Sequence, residues 1–102
     1  MNVLHNRITP IEECRLGDKV TITGTISMVT VSAPHAPCGV EAHLYDDSGV
    51  IELHWMGRHT IPGIDTGRHV QVEGRVALHG RDLAIYNPCL LYTSDAADER
   101  SS

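Results

Sequence analysis

Two segments of this chain share one pattern 50 residues apart, and this repeat constrains the fold more than any other feature. Residues 17–26 and 67–76 both read G-x-x-V-x-apolar-x-G-x-apolar. Each is a period-two strand with an interior glycine, which weakens a strand unless it permits a bulge or a sharp bend. The repeat therefore predicts two equivalent bends in one closed sheet. Two copies are too few for a solenoid, which needs about three or more.

The segment 40–55 reads as a β-hairpin. Two period-two runs flank the turn Asp46-Asp47-Ser48-Gly49, which predicts a hairpin with a four-residue loop. In the register that this loop sets, paired positions sum to 95, so that Val40 faces Trp55. Tyr45, His43 and His54 then lie on the opposite face from the apolar pairs.

The remaining segments complete a five-stranded, all-β barrel. The last strand is 83–86, after the tight turn 79–82, and a short helical turn around 61–64 is expected between strands three and four. Residues 1–16 form a lead-in, in which Thr9 is the expected N-cap of a short helical turn. The residues predicted to point inward are apolar: Val20, Ile22, Ile26, Met28, Val40, Ala42, Leu44, Ile51, Leu53, Val70, Val72, Val76, Leu78, Leu83 and Ile85.

Composition excludes several protein classes. The chain has 102 residues, enough for one domain, and contains no apolar run of the roughly 18 residues that a membrane span needs. It begins without an apolar signal-peptide core, and its three cysteines are too few and too widely spaced for a disulfide scaffold. We therefore expect a cytoplasmic protein with reduced thiols and no membrane partner.

The end of the chain resembles a translated sequencing adapter. The run Cys-Leu-Leu-Tyr-Thr-Ser-Asp-Ala-Ala-Asp-Glu at residues 89–99 can be encoded by codons that spell a widely used transposon-end adapter. We therefore predict that 89–102 is an artefact tail on a truncated gene, and that 17–88 is the domain. A native polar tail is the alternative. Without the tail, 10 acidic and 7 basic residues leave a formal charge of −3.

Four segments together resemble an OB-fold. They are GDKVTITGTI, LYDDSGVIELHWMGR, PGIDTGRHVQVEGRV and LAIYNP, within about residues 14–88. The chain is similar to the OB domains of tRNA anticodon-binding modules and of a helicase wedge, and especially to small bacterial nucleic-acid-binding OB proteins. The resemblance implies a Greek-key barrel whose ligand face lies on strands two and three. The loops 31–39 and 79–82 would flank that face.

The resemblance implies single-stranded DNA or RNA as partner, bound without strong sequence preference. Tyr45 is a candidate stacking platform beside His43 and His54, Arg58 and Arg81 lie where they could flank a groove, and Trp55 is either a stacking residue or part of the core. The alternative for the His–Glu pairs on this face, His43 with Glu52 and Glu41 with His54, is a solvated surface of cross-strand partners.

The negative charge favours a second hypothesis, a protein-interaction module within a nucleic-acid-processing complex. Neither hypothesis involves a small-molecule substrate, a cofactor or catalysis, and no catalytic motif is present. His35 and Cys38 form the one compact group of metal-ligand types in the sequence, but paired zinc-ligand spacing is missing there, so no metal is expected.

Overall fold

The computed structural model describes residues 8–31, 39–58 and 60–95, and β-strands predominate among them. The strands are β1 (Lys19–Val31), β2 (Gly39–Tyr45), β3 (Val50–Met56), β4 (Arg68–His79), β5 (Asp82–Tyr86) and β6 (Cys89–Asp95). A short 3₁₀ turn, Ile11–Glu13, precedes them. The all-β prediction is confirmed. In this described part of the chain, no helix has the length and apolar character required to cross a bilayer.

Strand pairing closes five of the strands into a ring. β1 pairs antiparallel with β2 through its second half and with β4 through its first half, and β2 pairs antiparallel with β3. β3 then pairs in parallel with β5, which pairs antiparallel with the end of β4. The order around the ring is therefore β1-β2-β3-β5-β4 and back to β1. Closure leaves few exposed strand edges in this sheet.

The two repeated glycines lie where long strands change partners. Gly24 lies where β1 passes from β4 to β2, and Gly74 lies where β4 passes from β1 to β5. A β-carbon on Gly24 would collide with the Tyr45 carbonyl, and one on Gly74 would collide with the Ile85 side chain. The two glycines therefore have equivalent places in the sheet, because each admits a close approach that a β-carbon would obstruct.

The β2–β3 hairpin has the predicted register. Val40 pairs with Trp55, Ala42 with Leu53, and Leu44 with Ile51, so that positions sum to 95 throughout. These pairs face the core. The side chains that are almost completely buried come from five strands: Ile22, Ile26, Leu44, Ile51, Leu53, Val70, Val72, Val76 and Ile85.

Two residues predicted to point inward, Met28 and Leu78, are exposed instead. The β1–β2 register shifts between Ile26 and Met28, which leaves Ser27 as an extra residue in β1. A bulge of this kind reverses the alternation of faces beyond it, so Met28 points outward. Leu78 lies past Val76, the last residue of β4 with a fully buried side chain.

The predicted helical connector and the predicted N-cap of the lead-in turn are also corrected, although the short turn itself is present at Ile11–Glu13. The described residues between β3 and β4 contain turns but no helix, and the turn there is closed by a hydrogen bond from Ile64 N–H to the Ile61 carbonyl. Gly63 in this turn has φ +89°, which is outside the helical range. In the lead-in, Pro10 rather than Thr9 occupies the N-cap of the 3₁₀ turn, and the Thr9 N–H donates to the Thr21 carbonyl.

The segment predicted to be an artefact tail contributes β6. After β5 the chain passes through Asn87, which has φ +53°, and Pro88, and then continues antiparallel to the first half of β4. Leu90 packs against the core, and the Thr93 hydroxyl donates a hydrogen bond to the Gly63 carbonyl. The origin of residues 89–102 stays a prediction. In the structure, residues 89–95 of this segment form the strand that pairs with β4.

Candidate functional site

The outward sides of β2, β3 and β5 form one continuous surface, which we call the hairpin face. Strand alternation and the parallel β3–β5 register bring these side chains together. The bulged end of β1 adds Met28, which pairs with His43. The side chains on this face are a mixture of imidazoles, carboxylates, tyrosines and exposed aliphatic groups: Met28, Glu41, His43, Tyr45, Val50, Glu52, His54, Met56 and Tyr86, with His79 reaching over from β4.

The His–Glu contacts on this face run along the strands rather than across them. His43 Nε2 lies 3.5 Å from Glu41 Oε2 on β2, and His54 Nε2 lies 2.8 Å from Glu52 Oε1 on β3. The cross-strand partners expected from the sequence, His43 with Glu52 and Glu41 with His54, are paired in register, but the close contacts lie within each strand. Residues two apart on a strand share a face, and strand side chains lean along the strand direction, so the imidazole reaches its own neighbour.

A third imidazole completes the cluster around Glu52. His79 Nδ1 lies 2.9 Å from Glu52 Oε1, the same oxygen that contacts His54. β5 lies between the two strands, and its Ala84 pairs with Glu52 on one side and with Ala77 on the other. Because Ala84 carries only a methyl group, His79 can extend over it to the carboxylate. We call Glu52, His54 and His79 the Glu52 cluster.

Glu52 and His54 are not part of a solvated surface, which was one alternative from the sequence. Glu52 is 8% exposed and His54 is 9% exposed, although both lie on the outer side of the sheet. The rings of His79 and Tyr86 lie 4.7 and 5.0 Å from the ring of His54. The rings of His79 and Tyr86 therefore shield Glu52 and His54 from much of the solvent, while the His79 side chain itself stays exposed.

The pKa of Glu52 is lowered despite its burial. Loss of hydration by itself would raise the pKa, but the hydrogen bonds from His54 and His79, together with the charges of these two residues, outweigh it. The carboxylate therefore stays ionised at neutral pH. A buried carboxylate that holds two imidazoles through one oxygen is a preorganised polar site.

The other predicted site residues have different surroundings. Tyr45 is 43% exposed on the hairpin face, whereas Trp55 is buried and donates a hydrogen bond from Nε1 to the Pro88 carbonyl at 3.0 Å. Trp55 is therefore part of the core, which is one of the two roles predicted for it. Arg58 and Arg81 are both exposed. In the β3–β5 register, Arg81 lies at the level of Gly49 and Arg58 beyond the end of β3, so the two arginines lie at opposite ends of the hairpin face.

Sequence reasoning missed Tyr86 and His79. Tyr86 pairs in register with His54 and is 40% exposed, which adds a second aromatic ring to the hairpin face. Both residues reach this face only through the parallel β3–β5 pairing, for which the sequence carries no local signal. The group considered in the sequence, His35 and Cys38, lies outside the described residues, as does the whole loop between β1 and β2.

Comparisons with known proteins add no identification: neither a scan against protein-family models nor a search of curated proteins gives a match.

Proposed function

We propose that this chain is an OB-fold domain whose hairpin face binds single-stranded nucleic acid, with low affinity and little sequence preference. The ring order β1-β2-β3-β5-β4 supports the fold assignment, since an OB-fold is a five-stranded, partly open Greek-key barrel. In an OB-fold the ligand face lies on the second and third strands, which correspond here to β2 and β3. We propose a binding role and no catalytic role.

The observation that carries the proposal is the pair of exposed tyrosines on one face. Tyr45 lies on β2 at the level of Val50, and Tyr86 lies on β5 at the level of His54. Base–aromatic stacking contributes about 1–3 kcal/mol per base and tolerates any sequence, because every base has a π-face. Two rings at different levels along the strands could each stack one base of an extended strand.

The placement of the two arginines supports the same ligand. Arg58 and Arg81 are separated by about nine residues of strand length in the β3–β5 register, or at most roughly 30 Å. A positive group at each end of an aromatic surface suits a backbone that crosses the face, and sites of about four or more nucleotides are usual for an OB-fold.

The carboxylates on the face limit the affinity. Glu41 and Glu52 place two carboxylates on this face, and the imidazoles that contact them do not form a basic groove. Because binding to single strands normally depends on phosphate contacts and counterion release, we expect weak, salt-sensitive binding.

Fluorescence anisotropy tests this proposal. The full chain is titrated into labelled single-stranded DNA, single-stranded RNA and duplex DNA, each at low and at physiological salt. We expect binding to single strands that weakens with salt, and a loss of about tenfold or more for Tyr45→Ala or Tyr86→Ala, in line with about 1–3 kcal/mol per stacked base. Circular dichroism establishes that each variant is folded.

Arg58→Ala and Arg81→Ala should weaken binding and reduce its salt dependence. The matched control is Lys19→Ala, which removes an exposed cation from β1 at its pairing with Arg75, on another wall of the ring. If a folded chain shows no binding at low salt, or if Lys19→Ala weakens binding as much as the two arginine variants do, the proposal fails.

A second candidate is a protein-docking role in a nucleic-acid-processing complex. The observation that favours it is the exposed aliphatic surface on the same face, where Met28, Val50 and Met56 are each about half exposed. Apolar patches of this kind are common at protein interfaces. Absence of nucleic-acid binding, together with a partner interaction that Met56→Ser disrupts and Lys19→Ala does not, would favour this role.

A further inference from the structure

We propose that the Glu52 cluster is a binding site for one zinc-type divalent metal ion, with Glu52 Oε1, His54 Nε2 and His79 Nδ1 as ligands. This inference is independent of the nucleic-acid proposal. It starts from the arrangement of these three side chains, whose possible ligand atoms all lie within 4.8 Å of one another.

The chemistry of the donor set favours zinc over calcium or magnesium. Two imidazole nitrogens and one carboxylate oxygen form a common three-residue set at zinc sites that keep an open position. Magnesium and calcium prefer oxygen ligands, which only Glu52 supplies here. The set also suits cobalt(II), which can therefore serve as a spectroscopic probe.

The distances require little rearrangement. Glu52 Oε1 lies 2.8 Å from His54 Nε2 and 2.9 Å from His79 Nδ1. Ligands at zinc-like bond lengths of about 2.0–2.2 Å in tetrahedral geometry are separated by about 3.4 Å, so the cluster must open by roughly half an ångström. The side chain of His79 is 54% exposed and is free to make that adjustment.

One side of the site is held in place by the sheet, and the other side is open to solvent. Glu52 and His54 are buried on β3, a central strand, and their ligand atoms are therefore held by the sheet. His79 lies on the solvent side, at the end of β4, and leaves a path for the ion and a coordination position for water or another ligand. A metal would take the place of the two hydrogen bonds between these imidazole nitrogens and Glu52 Oε1, and each ligating nitrogen would then present its lone pair to the ion.

A second group nearby is a weaker competitor for the ion. Glu41, His43 and Glu52 also have possible ligand atoms within 4.8 Å of one another. This group offers one imidazole instead of two, and its His43–Glu41 distance is longer, 3.5 Å. The first group therefore provides the better donor set for a zinc-type ion.

Calorimetric titration of the untagged, metal-free full chain with Zn²⁺ tests the site, and Co²⁺ absorption spectra report its ligands. We expect one ion per chain. Glu52→Gln and His79→Ala should each weaken Zn²⁺ binding at least tenfold, since even loss of an outer-shell partner costs about 10–100-fold. The matched control, His69→Ala, removes another β4 histidine that contacts Thr25, and should change affinity less than about twofold.

Thermal unfolding by circular dichroism confirms that His79→Ala is folded, which its exposed position favours. No Zn²⁺ binding by the full chain would overturn the proposal, and so would equal binding by the parent and His79→Ala. A larger loss for His43→Ala than for His79→Ala would assign the ion to the competing group. A strong thiolate-to-cobalt charge-transfer band would show that a cysteine holds the ion instead.

Discussion

The backbone carbonyl of Tyr45 occupies the space that a β-carbon on Gly24 would need. This contact lets β1 change partners from β4 to β2 within one strand, and it also fixes the backbone beneath one of the two exposed tyrosines of the hairpin face. The glycine that bends the strand therefore also positions a candidate ligand-binding residue.

Gly24→Ala should destabilise the fold strongly. The atom in the way belongs to the Tyr45 backbone, which cannot move without breaking the β1–β2 pairing, so we expect a loss at the upper end of the range of about 1–3 kcal/mol for overpacking. Urea unfolding measures it. Gly49→Ala, whose nearest contact is a side-chain atom of Ile11 at 3.3 Å, is the milder control. Equal stability of Gly24→Ala and the parent would contradict the close approach of Gly24 to the Tyr45 carbonyl.

Asp46 should make the free energy of unfolding depend on pH in the acid range. Burial alone would raise its pKa, but backbone hydrogen bonds from Ile11, Ser48 and Gly49 and the Ser48 hydroxyl lower it overall. Because the folded pKa lies below the unfolded one, near 3.9 for Asp in general, this stabilisation is complete above the unfolded value and is lost as pH falls through the folded value.

Asp46→Ala should cost about 1–3 kcal/mol at pH 7, because the Ile11 N–H loses its acceptor and the lead-in loses its attachment to the β2–β3 turn. The difference from the parent should shrink towards pH 2. Asp47→Asn, an exposed change in the same turn, serves as the control in urea unfolding at both pH values. A difference that is independent of pH would argue against an ionised Asp46 as the acceptor.

The two described cysteines should differ in reactivity. Burial raises the pKa of the Cys14 thiol, and the nearby charges of Asp46, Asp18 and Glu13 raise it further, whereas Cys89 is exposed. Since the thiolate is the nucleophile, iodoacetamide at pH 8 should modify Cys89 at least about tenfold faster than Cys14. Peptide mapping by mass spectrometry separates the two sites. Faster labelling of Cys14 would mean that the lead-in does not cover it.

Trp55→Phe should destabilise the fold by weakening the attachment of β3 to the segment that follows β5. The indole N–H donates to the buried Pro88 carbonyl, and the Asn87 side chain accepts from Met56 N–H close by. Loss of the indole donor leaves the carbonyl unsatisfied and should cost about 1–3 kcal/mol. Met56→Ala, which keeps its backbone bond, is the control in thermal unfolding. A cost no larger than that of Met56→Ala would contradict this assignment.

Deletion of residues 89–102 tests the role of β6. The deletion removes the strand that covers the first half of β4 and also removes Leu90 from the core. We expect lower stability and concentration-dependent association, because an uncovered strand edge can pair with another chain. Urea unfolding and sedimentation velocity measure both effects. Unchanged stability would mean that the segment adds nothing to the fold, as expected for a sequencing scar.

Local sequence determined the parts of the fold that depend on short-range geometry. The four-residue turn fixed the register of the whole β2–β3 hairpin, and a slip by one residue would move every side chain to the other face. The repeated glycines marked both bends, because only glycine allows such close strand approach. From these two signals the all-β closed sheet, the inward position of Trp55 and the outward position of Tyr45 could be predicted.

Only the tertiary structure decided what lies beside the hairpin face. The β1 bulge turned Met28 outward, and the parallel pairing of β3 with β5 placed Tyr86 against His54. The same pairing carried His79 across Ala84 to Glu52, which lies 27 residues earlier in the chain. Parallel pairing is set by closure of the whole sheet rather than by any turn, so no local pattern could specify the Glu52 cluster.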